Sequence, residues 1–376
     1  MEDTLTNTLH HSHGSSCACC FALPPYLTDH LRRHARNRKV RESLARVHED
    51  SQQQRIVRKA ALSMRRRAPG ATPEPRLDRR IYDCEKTTDL LKRLARKEGG
   101  RKTQDVAVTE AYDYSGMVFR FFETAYKRAS IDNENLPLIS SVHYQEQDDV
   151  GYDNAFWNGR QMVYGDGDGM LFNRFTIARD VVGHELAHGV TQYEAALKYE
   201  RQSGALNEHF SDVFGVLARQ WADKDGDPKV ADWTIGNKLF KPARLRKMSL
   251  RTMKAPGTAY DDPELGRDPQ PAHMKDYKEL PNTDLGDWGG VHVNSGIPNH
   301  AFYRAAIAIG KPAWEVAGKI WYIALCDRLR DNANFAKCAY ETISVARDFY
   351  DGATAHKVQT AWMEVGVLTA QQRLVA

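Results

Sequence analysis

His184, Glu185 and His188 stand in the order His-Glu-x-x-His within His184-Glu185-Leu186-Ala187-His188. On an α-helix, residues four apart lie about 40° apart around the axis and one turn along it, so both imidazoles reach one ion. Glu185 lies about 100° round from His184, near enough to take a proton from a water at that ion without ligating it. Read alone, the motif is suggestive but still leaves room for an ordinary helix with two surface histidines. A catalytic metal usually has three protein ligands and one open position, so a third ligand must exist. Asn207-Glu208-His209-Phe210-Ser211-Asp212 begins another helical run, with 19 residues between His188 and Glu208. A helix, a turn and a second helix fit that interval, which lets Glu208 complete a His, His, Glu set. Asn207 and Asp212 sit beside Glu208 in the polar roles that fix histidine tautomers. Two surface histidines no longer account for the pattern.

These residues need a scaffold, and the chain is long enough to build one. Its 376 residues suggest two domains with an appendage. At 41% hydrophobic and 27% charged residues it is neither disordered nor a disulfide framework. No apolar run is long enough to span a membrane, and the polar, His-rich first 20 residues are not a secretory signal. A largely reduced protein, made in the cytoplasm, is therefore expected. From Thr28, a candidate N-cap, to about Arg67 the sequence reads as two helices over a thin apolar stripe of Leu44, Val47, Ile56 and Leu62. Phe21 to Leu27 reads as extended, fixed by Pro24 and Pro25. Residues 68–75, with three prolines and a glycine, read as a linker. Beyond it, an amphipathic helix from Val106 to about Arg128 precedes strand-like runs at 138–144 and 161–164. Helical patterns then occupy 180–194, 204–222, 295–310, 312–330 and 334–350. Strands first and helices afterwards predict an α+β protein with a cleft between a sheet-rich half and a helical half.

Charge is unevenly spread. Residues 28–101 carry 22 Lys/Arg against 10 Asp/Glu, and the remainder carries 31 against 39, for a net charge of +4. Such a basic arm has four readings: a nucleic-acid arm, a membrane-surface arm, an intramolecular partner for the acidic body, or a solvated helical face.

The chain resembles the thermolysin family of zinc metalloendopeptidases. The matching segments are Asn154-Ala155-Phe156-Trp157-Asn158-Gly159, the run 162–169, the motif at 184–188, the run 203–212, and Asp287-Trp288-Gly289-Gly290-Val291-His292-Val293-Asn294-Ser295-Gly296. The resemblance implies peptide hydrolysis by a zinc-bound water, with His184, His188 and Glu208 as ligands and Glu185 as general base. It makes His292 and Tyr199 the donors to the developing oxyanion, with Asp287 orienting His292. It also implies that Asn154 and the Ala155 backbone bind extended polypeptide substrates, and that Arg251 holds the substrate backbone beyond the cut. Phe172, Phe175, Val181 and Leu250 would line a pocket for a bulky apolar residue just after the cleaved bond. Asp180 and Asp232 match a family calcium site, but Arg219, Thr234 and Asn237 replace three of its acids, so calcium is doubtful there.

The N-terminal motif Leu23-Pro24-Pro25-Tyr26-Leu27 resembles the short propeptide of protealysin-like members. Residues 1–75 are then an inhibitory pro-region and linker, residues 76–195 the β-rich half and residues 196–376 the helical half of a monomeric enzyme. Export by a non-classical route would follow. The cluster His10, His11, His13, Cys17, Cys19 and Cys20 has three readings: a thiolate blocking the zinc (Cys20 being the best placed), a separate metal site, or a disordered tail. The tail is preferred, since no fixed spacing pairs with a folded unit. Two other classes stand beside the enzyme. A non-catalytic peptide-binding protein would need a broken site, yet every ligand and the base are present. A nucleic-acid-binding protein would need aromatics interleaved in the basic arm, which are missing; no nucleic acid and no membrane insertion are expected.

Overall fold

A computed structural model describes residues 20–62, 73–145 and 150–369, with the side chains at 20–21 and 51–62 outside that description. Strand β1 (Cys20–Phe21) leads into helices α1 (Pro25–His34) and α2 (Arg38–Leu62). The extended stretch is thus shorter than expected, and Thr28 is not an N-cap. Helix α1 starts at Pro25, because proline's fixed φ suits the first helical position and its missing N–H would be unpaired there anyway. Tyr26 and Leu27 lie in the first turn, and Thr28 Oγ donates back to Pro25 O at 2.9 Å. Leu27, Leu31, Ala35, Val40, Leu44 and Val47 are buried, so these helices lie on the body with a fuller apolar stripe than the sequence suggested. The side chains of Ile56 and Leu62, the end of the run to Arg67, and linker residues 68–72 lie outside the described residues.

Strands β2 (Arg79–Asp83), β3 (Arg93–Lys97), β4 (Leu138–Val142), β5 (Ala155–Trp157) and β6 (Met162–Tyr164) join β1 in one sheet of order β1-β5-β6-β4-β2-β3. The β2–β4 and β4–β6 pairings are parallel and the others antiparallel. Between β3 and β4 runs α3 (Val106–Tyr126), capped by the Asp105 carboxylate on Val108 N at 3.1 Å and ended by Lys127 in the left-handed region. On its buried face, Phe122 packs on Phe214 and Tyr126 stacks on Tyr322, which ties the sheet-rich half to the helical half.

The helical half contains α4 (Arg179–Tyr193), α5 (Arg201–Asp223), α6 (Asp287–Asn294), α7 (Gly296–Ile309), α8 (Ala317–Ile323) continued by a π-helical turn at Ala324–Arg328, α9 (Phe335–Phe349) and α10 (Gly352–Glu364). A small antiparallel pair, β7 (Thr234–Ile235) and β8 (Arg251–Thr252), lies between α5 and α6. Helices α4 and α5 touch at two glycines. A Cβ on Gly183 would meet Gly215 Cα at 2.9 Å, and one on Gly215 would meet Asp180 O at 2.4 Å. Backbone therefore rests on backbone one residue before His184. Among the described residues no helix is long and apolar enough to cross a membrane.

Candidate active site

That close crossing brings Glu208 of α5 to the two histidines of α4. Ligand atoms of His184, His188 and Glu208 lie within 4.8 Å of one another, and all three side chains are buried. The two Nε2 atoms are 3.0 Å apart, with Glu208 oxygens 3.4 Å from His184 Nε2 and 3.5 Å from His188 Nε2. His188 Nδ1 lies 2.8 Å from both Asn207 Oδ1 and Ser211 Oγ, and His184 Nδ1 lies at ion-pair distance, 2.8 Å, from Asp212 Oδ1, although off the angle of a regular hydrogen bond. A proton held on each Nδ1 leaves two bare Nε2 lone pairs facing each other and a carboxylate, an arrangement that repels itself unless a cation sits among them. The donor set, two imidazoles and one carboxylate with no fourth protein ligand among the described residues, fits a catalytic zinc.

Electrostatics agree with that fit. Burial disfavours charge on His184, yet Asp212 and Glu208 together push it up to about 10. Burial alone would raise Glu208, but His292, His188 and His184 hold it well below the usual carboxylate range. Asp212 is likewise held low against burial, first by Arg251 and then by His184. Arg251, in β8, is itself buried and makes a bidentate pair with Asp212, Nε to Oδ2 at 2.9 Å and Nη2 to Oδ1 at 2.8 Å. Its Nη1 has no hydrogen-bond partner among the described residues.

Glu185 is buried at the end of strand β5, where its Oε2 accepts from Trp157 N at 3.1 Å. Opposite, Asp287 Oδ1 lies 2.6 Å from His292 Nδ1, while its Oδ2 accepts from the backbone N of His292 and of Val293 at 2.8 and 3.0 Å. Asp287, Trp288, Gly289 and Gly290 all have positive φ, and this left-handed run turns the chain sharply enough for Asp287 to reach the residue five positions on. Burial opposes charge on His292, but Glu208 and Asp287 raise its pKa. Tyr199 OH donates to Glu208 Oε1 and lies 3.1 Å from His292 Nε2.

Along the outer edge of β5 runs β1. Cys20 pairs with Trp157 and Phe21 with Phe156; Ala22 N donates to Ala155 O and Leu23 N to Asn154 Oδ1, both at 3.0 Å. The side chain of Cys20, and all of His10, His11, His13, Cys17 and Cys19, lie outside the described residues. Burial first, then Tyr260 and Asp268, push the Tyr26 phenol well above its ordinary value. Phe172 and Phe175 pack ring to ring at 5.9 Å, and Val181 and Leu250 are buried in the same apolar cluster.

Sequence reasoning missed several polar partners. Ser211 lies four residues after Asn207, so the helical spacing that found Glu208 could have found it. Gln270, whose Nε2 donates to His292 O at 2.7 Å, comes from an irregular segment that no periodicity marks. Phe240, 5.5 Å from Phe172, is equally unmarked.

Two family profiles match the body. "Thermolysin metallopeptidase, catalytic domain" covers residues 76–192, and "Thermolysin metallopeptidase, alpha-helical domain" covers residues 195–367. The chain is 50% identical over 303 residues to an extracellular metalloprotease of Pectobacterium carotovorum subsp. carotovorum, spanning 80% of this chain and 84% of that one. It is 46% identical over 297 residues to protease PrtS of Photorhabdus sp. (strain Az29), spanning 79% and 78%. The solved precursor of protealysin, a metalloproteinase from Serratia proteamaculans, superposes with a TM-score of 0.80 at 48% identity, covering 93% of this chain and all of that one. The chain belongs to the thermolysin family of zinc metalloendopeptidases, in its protealysin-like branch.

Proposed function

We propose that this chain is the zymogen of a zinc endopeptidase that cuts on the amino side of bulky apolar residues. The observation that carries the reading is the convergence of His184, His188 and Glu208 within 4.8 Å beside Glu185, at a strand edge suited to an extended peptide. When bound, zinc lowers the pKa of water to about 7 and polarises the scissile carbonyl. Glu185, held by Trp157 N–H, takes the proton of the attacking water and returns it to the leaving amine. Tyr199 OH and a protonated His292 Nε2 donate to the developing oxyanion, each such donor being worth about 3 kcal/mol. Asp287 keeps the other His292 proton on Nδ1, which supports Nε2 as the donor. Asn154 Oδ1 and Ala155 O accept substrate N–H groups, and the unpaired Nη1 of Arg251 is available to a substrate carbonyl. Phe172, Phe175, Val181 and Leu250 form the apolar pocket.

Residues 1–75 act as an intramolecular inhibitor. In support, β1 takes the hydrogen bonds of β5, Asn154 and Ala155 that a substrate needs. The unit is a monomer with neither nucleic-acid nor membrane partner; in support, the apolar faces of α1 and α2 are buried on the chain's own body, and His48 Nδ1 lies 3.4 Å from Asp284 Oδ2 there. Calcium is not required near Asp180, where Arg219 takes the place of a cation. Casein hydrolysis tests the catalytic reading: it should vanish with a zinc chelator, return with zinc, and be absent in Glu185→Ala. A chain beginning at Arg79 should be active without a lag. Equal initial rates for the uncut full-length chain would remove the inhibitor.

A further inference from the structure

His209 lies directly after Glu208 on α5, yet it points away from the ligand cluster into the helical half. It is completely buried and has two side-chain partners. Trp321 Nε1, on α8, lies 2.8 Å from His209 Nε2, and Asn299 Oδ1, on α7, lies 2.8 Å from His209 Nδ1. An indole N–H can only donate, so His209 Nε2 must accept and the single ring proton sits on Nδ1. That proton goes to Asn299 Oδ1, which turns the Asn299 amide so that Nδ2 donates to Asp212 Oδ2 at 2.9 Å. Asp212 Oδ1 in turn lies 2.8 Å from Nδ1 of His184. The indole N–H at one end can only donate and the Asp212 carboxylate at the other can only accept, so both ends impose the same direction on His209 and Asn299.

The geometry points to His209 as a positioning residue of the metal centre: the chain Trp321–His209–Asn299–Asp212 fixes the orientation and tautomer of His184 from a second layer of helices. All five side chains are buried, so no water is at hand to replace a missing link. Arg251 holds Asp212 from one side through both oxygens, and Asn299 holds it from the other. Removing Asn299's orientation would free Asp212 to rotate toward Arg251 and away from His184. Direct outer partners of metal-bound histidines typically change affinity by about 10- to 100-fold, and a link acting through Asp212 should fall at the low end of that range. A residue that only filled space would alter stability alone.

The inference rests on the metal-site reading above, and the test keeps the two apart. Zinc affinity is measured by competition with a chromophoric chelator, and ligand geometry by the visible spectrum of the cobalt-substituted protein. Both use the full chain with Glu185→Gln, so that no self-digestion intervenes. His209→Phe fills the space but breaks both links; it should lose about 10-fold or more in zinc affinity and shift the cobalt bands. His209→Asn keeps a donor toward Asn299 and should recover most of the affinity. Trp321→Phe removes only the indole N–H and should lose a few-fold. Should His209→Phe fail to fold, Trp321→Phe and His209→Asn still decide. A folded His209→Phe or Trp321→Phe chain matching wild type in zinc affinity and cobalt spectrum, with only its melting temperature lowered, overturns the positioning role, and so does a His209→Asn chain no better than His209→Phe. A wild-type chain that takes up no zinc overturns the metal-site reading instead.

Discussion

Replacing Arg219 by methionine should destabilise the body by several kcal/mol, and calcium should have no part in it. Arg219 Nη1 donates to Asp180 Oδ2 at 2.8 Å and Nη2 to Asp232 O at 2.9 Å, with Asp232 Oδ2 at 3.4 Å. The Asp180 side chain is only 2% exposed and that of Arg219 only 8%, so methionine leaves a buried carboxylate without its cation. Gly236 N, 2.9 Å from Asp180 Oδ2, and Val181 N, 3.1 Å from Oδ1, would remain as its donors. Removing one partner of a buried pair costs about 3–5 kcal/mol, and the lost bond to a carbonyl adds about 1. The Asp232 carboxylate is 42% exposed and contributes little. A loss of about 5 kcal/mol in a chain this size corresponds to a fall in Tm of at least about 10 °C. Scanning calorimetry on the Glu185→Gln background reads it directly, with and without a calcium-selective chelator that spares zinc. A fall under about 2 °C would refute the buried-pair reasoning. A large fall in wild-type Tm on calcium removal would refute the view that arginine stands in for a cation.

Other outcomes follow from the same geometry. Glu185→Gln should lower kcat by about 10²–10⁴-fold while leaving zinc content at one per chain, measured by atomic absorption; a loss of metal would mean that Glu185 is a ligand. Tyr199→Phe and His292→Phe should each lower kcat by about 10²–10³-fold with small changes in KM, and a purely KM effect would contradict oxyanion stabilisation. His143 is disfavoured as a cation by burial but is raised to about 9 by Asp166 and Asp105, which lie 2.7 and 2.9 Å from its two nitrogens. Its charged form therefore adds stability below about pH 6.5, and this is lost as pH rises through about 9. His143→Gln should accordingly cost about 1–3 kcal/mol at pH 6 and almost nothing at pH 10, read from denaturant titrations. Leu23→Glu, placed in the buried contact beside Asn154, should shorten the activation lag of the full-length chain, with the released enzyme's kcat unchanged.

Much of this was legible in residue order. The 3.6-residue period put His184, Glu185 and His188 on one helix, and the interval to Glu208 left room for one helical hairpin, which is how α4 and α5 lie. The period could not say how close those helices come, because Gly183 and Gly215 act by what they lack. Strands β2 and β3 carry Arg79, Arg80, Arg93, Arg96 and Lys97, whose charge masked the alternation that periodicity relies on. Strand β5 has three residues, too few for any pattern. The start of α1 was misjudged because threonine is the better cap in general, whereas here Pro24-Pro25 sets the first turn. Gln270 and the far partners of His209 come from segments brought together only by tertiary packing.

The strand that pairs with β5 also changes how inhibition depends on concentration. While residues 20–62 and the body are one chain, docking of β1 on β5 is intramolecular, and a short covalent connection holds the strand at an effective concentration of about millimolar order. A cut in the intervening segment would leave the β1–β5 pairing and the buried faces of α1 and α2 in place, so the first product expected is a nicked complex that is still covered. Its occupancy then obeys mass action and falls as the solution is diluted. The enzyme would stay silent where it is crowded with its own released fragment and become active as the two diffuse apart.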